Sequence, residues 1–166
     1  MSKTEMVRAY TESLLEQVLE TDKVKADHDG DYPVRFQSAL YYVRIDSGRR
    51  DEPVVQVFAI AVDKIEPGPL LYEALNDINA QLKFARTFWV GGQVLIEAEM
   101  PGMSLSLDGF ANACHNVAHA ADFFGLTLAE EFGGTTAFAD EKGPELTFRM
   151  CGDPFTSPTP QHARLD

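Results

Sequence analysis

The 166 residues predict an α+β domain. Three observations predict it. Leu71, Leu75, Ile78 and Leu82 recur at intervals of 4, 3 and 4, which places them on one face of a helix. That helix runs into Thr87-Phe88-Trp89-Val90, an aromatic and β-branched run suited to a strand. Gly91-Gly92 then separates this run from a second alternating one, as in a tight hairpin whose turn needs positive φ.

The first helix spans Ser2 to about Thr21. Met6, Val7, Tyr10, Leu14, Val18 and Leu19 follow the helical period, with Thr11, Glu12, Glu16 and Glu20 on the other side. No Pro or Gly interrupts it, and Ser2 with Glu5 has capping-box spacing. It reads as a surface helix packed on the core, with part of its apolar face as an alternative offer to a partner.

Asp27-His28-Asp29-Gly30-Asp31 alternates aspartates as a calcium loop does. Counted from Asp27, however, the sixth position is Tyr32 rather than Gly and the twelfth is Ser38 rather than Glu. A turn fits better, since Asp and Gly supply local hydrogen bonds and positive φ.

Val34 to Asp46 reads as one long strand, with Val34, Phe36, Ser38, Leu40 and Tyr42 on one face and Arg35, Gln37, Ala39, Tyr41 and Val43 on the other. A polar connection, Ser47 to Pro53, leads to the apolar run Val54 to Val62, which should pair antiparallel with it. The central helix comes next, with Gly68 as its cap and Pro69 in its first turn, where a missing N–H is no loss. Arg86 to Val90 and Gln93 to Met100 form the hairpin. Val94, Ile96, Ala98 and Met100 share one side; Glu97 and Glu99 mark a solvated side, with Leu95 its apolar exception.

Pro101-Gly102 breaks the sheet, and a third helix begins near Ser106 or Leu107. Phe110, Ala113, Cys114, Val117, Ala118, Ala121 and Phe124 form its apolar stripe; Asn112, His115, His119 and Asp122 form a polar one. Gly125 is a point for a kink or break, with a last helical piece from Leu126 to Phe132 that Gly133-Gly134 stops. From Ala139 onward prolines, glycines and small polar residues dominate. The chain therefore divides into a domain of residues 1–138 and a mobile tail of residues 139–166, in which Leu146, Phe148 and Phe155 could still anchor a part.

The formal net charge is −12. Nucleic-acid phosphates and anionic lipid would be repelled, so neither is an expected partner. No apolar run reaches the roughly 20 residues needed to span a bilayer, and Met1-Ser2-Lys3-Thr4-Glu5 lacks a signal-peptide core. Cys114 lies on an apolar helical face and Cys151 in the tail, so no disulfide is expected and the cytoplasm is the expected compartment.

No catalytic signature is present. His115 and His119 have the i, i+4 spacing of zinc ligands, and Asp122 lies one turn on. Where the zincin motif places a Glu as general base, this chain has Asn116, and the set coincides with the polar stripe. Ordinary surface histidines are the expectation. Cys114 and His115 point roughly 100° apart on a helix, a poor nucleophile–base pair. Neither glycine pair fits a dinucleotide or phosphate loop. The expectation is a non-enzymatic protein without cofactor or metal.

The aromatic strand residues Phe36, Tyr41, Tyr42, Phe58, Phe88 and Trp89 are mostly explained by a core, with a minority left for a peptide groove. The order of elements, helix, three strands, helix, two strands, helix, resembles the type III secretion chaperone fold. Asp29 to Phe36, Ser38 to Arg44, Leu75 to Ala80 and Phe88-Trp89-Val90 resemble the bacterial YbjN-domain proteins over roughly Val24 to Gly134. The resemblance implies one mainly antiparallel sheet packed by helices, a homodimer, and chaperone-like binding of protein segments. A regulatory or scaffolding module with one dedicated protein partner is the alternative. Patterning then selects Leu14, Val18, Phe36, Tyr41, Tyr42 and Phe58 as peptide-binding candidates. Leu70, Tyr72, Ala74 and Trp89 are selected as dimer contacts. Asn76 and Asn79 sit in a helix interior that does not favour Asn, so each is expected to hydrogen-bond something specific.

Overall fold

A computed structural model describes residues 1–49 and 52–138. The tail with Cys151, Leu146, Phe148 and Phe155 lies outside the described residues, as do two residues of the Ser47–Pro53 connection. The elements are α1 (Lys3–Leu19), β1 (Tyr32–Phe36), β2 (Ala39–Asp46), β3 (Val54–Asp63), α2 (Pro69–Gln81), β4 (Arg86–Val90), β5 (Gln93–Pro101) and α3 (Leu107–Phe132). A short 3₁₀ turn, Gly102–Ser104, joins β5 to α3. The fold is α+β with the expected type III secretion chaperone-like order.

Helix α1 begins as its sequence dictates. The Ser2 hydroxyl accepts from the Glu5 N–H while the Glu5 carboxylate accepts from the Ser2 N–H, a complete capping box. The strands form one five-stranded antiparallel sheet in the order β1-β2-β3-β5-β4. Helix α3 lies across β3, β2 and β5; α1 packs on α3 and β2, and α2 packs against β4. Between helices and sheet lies a single apolar core that includes Leu14, Tyr41, Val57, Leu71, Ile96 and Phe110.

The run from Val34 to Asp46 is not one strand. A two-residue turn at Gln37-Ser38, with Gln37 in the left-handed region (φ 49°), folds it into the β1–β2 hairpin. Phe36 therefore faces Ala39 across the pair, and the two share a face they would not share in a continuous strand. Tyr32, Val34, Phe36, Ala39, Tyr41, Val43 and Ile45 all point to the core. Leu40 and Tyr42 turn to the opposite face.

Gly125 neither kinks nor ends α3, which runs unbroken from Leu107 to Phe132. The glycine is needed for closeness: a Cβ there would sit 2.7 Å from the Ala61 carbonyl oxygen. Ala61 is itself the extra residue where the β3–β5 register shifts between Ile60 and Val62.

Both edges of the sheet are modified. On β1, Pro33 and Arg35 alternate with the residues hydrogen-bonded to β2, so Pro33 presents no N–H where a further strand would need one. Along the outer side of β4, Asn79 of α2 lays its amide on the backbone of Thr87, the specific bond expected of it. Asn76 is exposed and has no such partner among the described residues.

Candidate functional site: an uncovered aromatic sheet face

The helices cover one face of the sheet. On the other, Leu40 and Tyr42 of β2, Phe58 and Ile60 of β3, Leu95 of β5 and Phe88 of β4 form an apolar tract with no helix over it among the described residues. Tyr42 stands opposite Phe58 across the ladder, and their rings stack with centroids 5.3 Å apart. The Arg44 guanidinium lies 4.7 Å from the Phe58 centroid. It is held there by buried Asp31, whose oxygens accept from Nε at 2.9 Å and from a terminal nitrogen at 2.5 Å. Burial, together with the charges of Asp27 and Asp31, pushes the Tyr42 hydroxyl above its ordinary range.

Glu97 sits inside this tract and is only 3% exposed, so the solvated side expected of β5 holds only for Glu99. Its carboxylate accepts from Arg86 Nε at 2.6 Å and from Gln56 Nε2 at 2.6 Å. Arg86 also reaches Glu99 and lies over the Phe88 ring at 5.7 Å. A buried carboxylate so fully engaged is a fixed polar island among the aromatic rings.

The residues selected from patterning separate. Tyr42 and Phe58 lie together on the face without a helix, but only Tyr42 is half-buried there: Phe58 is 9% exposed, with the Tyr42 ring and the Arg44 guanidinium against it. Leu14, Phe36 and Tyr41 are core residues instead, and Val18 packs partly against the core. The physical reason for Phe36 and Tyr41 is the hairpin turn, which brings both onto the helix side. Of the dimer candidates, Leu70 (71% exposed) and Tyr72 (48%) project from α2 into solvent. Ala74 is half-buried in a groove between α2 and α3 of about 400 Å³, lined also by Leu70, Ile78, Phe124, Leu128 and Phe132. Trp89 is half-buried, and its indole N–H donates to the Ile65 carbonyl at 2.9 Å, so it serves the fold. Patterning does not single out Phe84, which is 97% exposed, takes a left-handed conformation (φ 55°) and borders a second groove of about 350 Å³. It comes directly after the central helix, where periodicity carries no signal.

The candidate chemistry is absorbed by packing. His115 is buried with its ring tilted against that of half-buried His119, centroids 4.1 Å apart, and the His119 ring packs on Phe36 at 4.6 Å; neither is the freely exposed surface histidine expected. Asp122 accepts from the Ser38 N–H at 3.0 Å and from its hydroxyl, tying α3 to the β1–β2 turn. The Cys114 thiol is fully buried against Tyr41, and burial pushes it up to about 12, so it carries no thiolate at neutral pH. Asp27, His28 and Asp29 cluster on the exposed turn, where Asp27 Oδ1 accepts from the N–H of Asp29 and of Asp31, as a turn aspartate does.

No helix among the described residues is long and apolar enough to cross a membrane. A family model described as T3SS (YopN, CesT) and YbjN peptide-binding chaperone 1 matches residues 5–140. No curated protein matches the chain. Among solved structures, a chain of the ExsC–ExsE complex is similar in fold, with a TM-score of 0.58 and 16% identity over 77% of this chain and 97% of that one. The fold, the sheet with its uncovered face and the family match over residues 5–140 agree: the chain belongs to the type III secretion and YbjN family of peptide-binding chaperones.

Proposed function

We propose that the protein is a non-enzymatic, cytoplasmic chaperone-like module whose open sheet face holds apolar segments of a client protein. The observation that carries this is the Tyr42–Phe58 stack. Two large rings sit side by side with Leu40, Ile60, Leu95 and Phe88 around them, on the one sheet face that no helix among the described residues covers. An apolar tract of this kind is a docking surface for extended segments. The net charge of −12 supports the same reading, because it keeps a chain with such a surface dispersed and favours basic partners.

The proposal includes a homodimer formed through the outer face of α2, with Leu70 and Tyr72 as its apolar contacts. Their exposure supports this, since both leave much of their apolar surface in solvent.

Reduced, carboxamidomethylated lysozyme, a permanently unfolded and basic protein, serves as the client probe. Its labelled form should bind the full chain, and Tyr42→Asp with Leu95→Asp should weaken binding about tenfold, the ~1.4 kcal/mol expected from losing part of an apolar contact, with the far-ultraviolet spectrum unchanged. Equal binding by the variant would remove the open face from consideration. Sedimentation at micromolar concentration tests the dimer: Leu70→Asp with Tyr72→Asp should give a monomer, and a wild-type monomer would end that part of the proposal.

A further inference from the structure

We infer that the groove between α2 and α3 is a second docking site, for a basic amphipathic helix of a partner protein. The groove lies on the helix side of the sheet, opposite the aromatic face, and owes nothing to what that face binds.

Two helices seated separately on the sheet leave this groove between them. Helix α2 packs against β4 and α3 lies across β3, β2 and β5, but the two are not packed closely on each other. Neighbouring helices usually close to about 8–10 Å between axes. Here the space stays open, with buried Ile78, Phe124 and Leu128 lining its floor and half-buried Ala74 and Phe132 beside them.

The rim is acidic. Glu73 and Asp77 of α2 and Glu131 of α3 line the groove, and all three are exposed. Neither helix contains a Lys or Arg. Among the described residues, none of the three carboxylates takes part in an ion pair. Two local rules are broken here at once. Glu73 and Asp77 are like charges at i, i+4, which weakens a helix. Glu130 and Glu131 lie in the last turn of α3, where the helix dipole favours a cation and no basic residue is present. Cations supplied from outside relieve both. Local rules left broken without compensation are a mark of functional sites.

Length and charge together select the occupant. The lining runs from Leu70 to Ile78 on α2 and from Phe124 to Phe132 on α3, about 12 Å of each axis at about 1.5 Å per residue. Apolar anchors at i, i+4 and i+7 of a docked helix span about 10.5 Å, so one such stripe matches the floor. Lys or Arg on the flanks of the same helix then meet Glu73, Asp77 and Glu131. A second copy of this chain is a poor occupant, since its own α2 and α3 bring carboxylates to the rim and no Lys or Arg. Tyr72, a contact of the proposed dimer, lies roughly 160° around α2 from Ala74, on the flank away from the groove.

The test uses the full chain and a fluorescein-labelled helix of about 14 residues, made of leucine and lysine with leucines at the i, i+4 and i+7 spacing. It should bind, and the matching leucine–glutamate helix should not; equal binding of the two overturns the site. Glu73→Gln, Asp77→Asn and Glu131→Gln together should weaken binding of the lysine peptide about tenfold and leave the thermal midpoint unchanged or higher. Glu20→Gln, Asp22→Asn and Asp29→Asn together remove the same charge outside the groove and should change binding by less than about twofold. Equal loss in both triple variants overturns the site, because net charge alone then explains it. A lowered midpoint in the groove variant overturns it too, since those carboxylates then serve the fold. Peptide binding lost through Tyr42→Asp with Leu95→Asp, and not through the groove variant, would put the peptide on the aromatic face and overturn the site while leaving the reading of that face intact. A groove variant that still binds peptide but changes its oligomeric state in sedimentation would make a second copy the occupant, and that also overturns the site.

Discussion

Asn79 holds Thr87 at both of its backbone polar groups: its side-chain oxygen accepts from the Thr87 N–H at 2.8 Å, and its nitrogen donates to the Thr87 carbonyl at 2.9 Å. A side-chain amide thus takes the place of a neighbouring strand on the outer side of β4. Asn79→Ala should cost about 1 kcal/mol, since the freed groups can turn to water. Urea unfolding reads that loss. Light scattering at high concentration should show faster self-association, and an unchanged scattering rate would deny the edge-guarding role.

Gly125→Ala tests the approach of α3 to the sheet. In an ordinary helix interior the change would stabilise by about 1 kcal/mol. Here the new Cβ meets the Ala61 carbonyl oxygen at 2.7 Å, which backbone movement must relieve. The expected result is a destabilisation of roughly 1–3 kcal/mol, read from the denaturation midpoint. A stabilised variant would show that the contact yields freely.

Asp31→Asn keeps the shape of the Asp31–Arg44 pair and removes its charge. Asp31 is buried while Arg44 is nearly half exposed, so the loss should be near 1–3 kcal/mol, in the range of charged hydrogen bonds. The Arg44 side chain should also leave the Phe58 ring. Loss of its ring-current shift in proton spectra would report that directly.

Alkaline pH should destabilise the protein. The Cys114 thiol is raised from 9.0 to about 12 by burial, and Tyr41 is raised well above 10.0, first by burial and then by Cys114. Folded, these groups hold their protons more tightly than unfolded. Their contribution is complete below pH 9 and is lost as pH rises from there toward 12. Unfolding free energies measured between pH 7 and 11 should fall at the upper end. In Cys114→Ala the fall should be shallower by up to about 1.4 kcal/mol per pH unit.

Much of the fold is legible in the residues because its signals are local. The capping box of α1, the stripe of α2 and the glycine pair between β4 and β5 each lie within a few positions of the structure they specify. The hairpin at Gln37-Ser38 is not legible in this way. It carries no Gly, Asn or Pro, so nothing marks the turn, and a smooth aromatic run conceals a reversal of face. The candidate site suffers from that one turn, since Phe36 and Tyr41 change sides with it. The burial of Glu97 is hidden for another reason: its partners Gln56 and Arg86 are 41 and 11 residues away, and only the paired strands bring them together.

Pro33 on one edge of the sheet and Asn79 on the other also say something about the grammar of a ligand. A segment joined by main-chain pairing must offer a free N–H at alternate positions, and proline is excluded from those places. A segment resting on the face is read through its side chains, so proline between apolar anchors breaks nothing that the face uses. Proline-scanned versions of a bound peptide should therefore keep their affinity wherever the apolar spacing is kept.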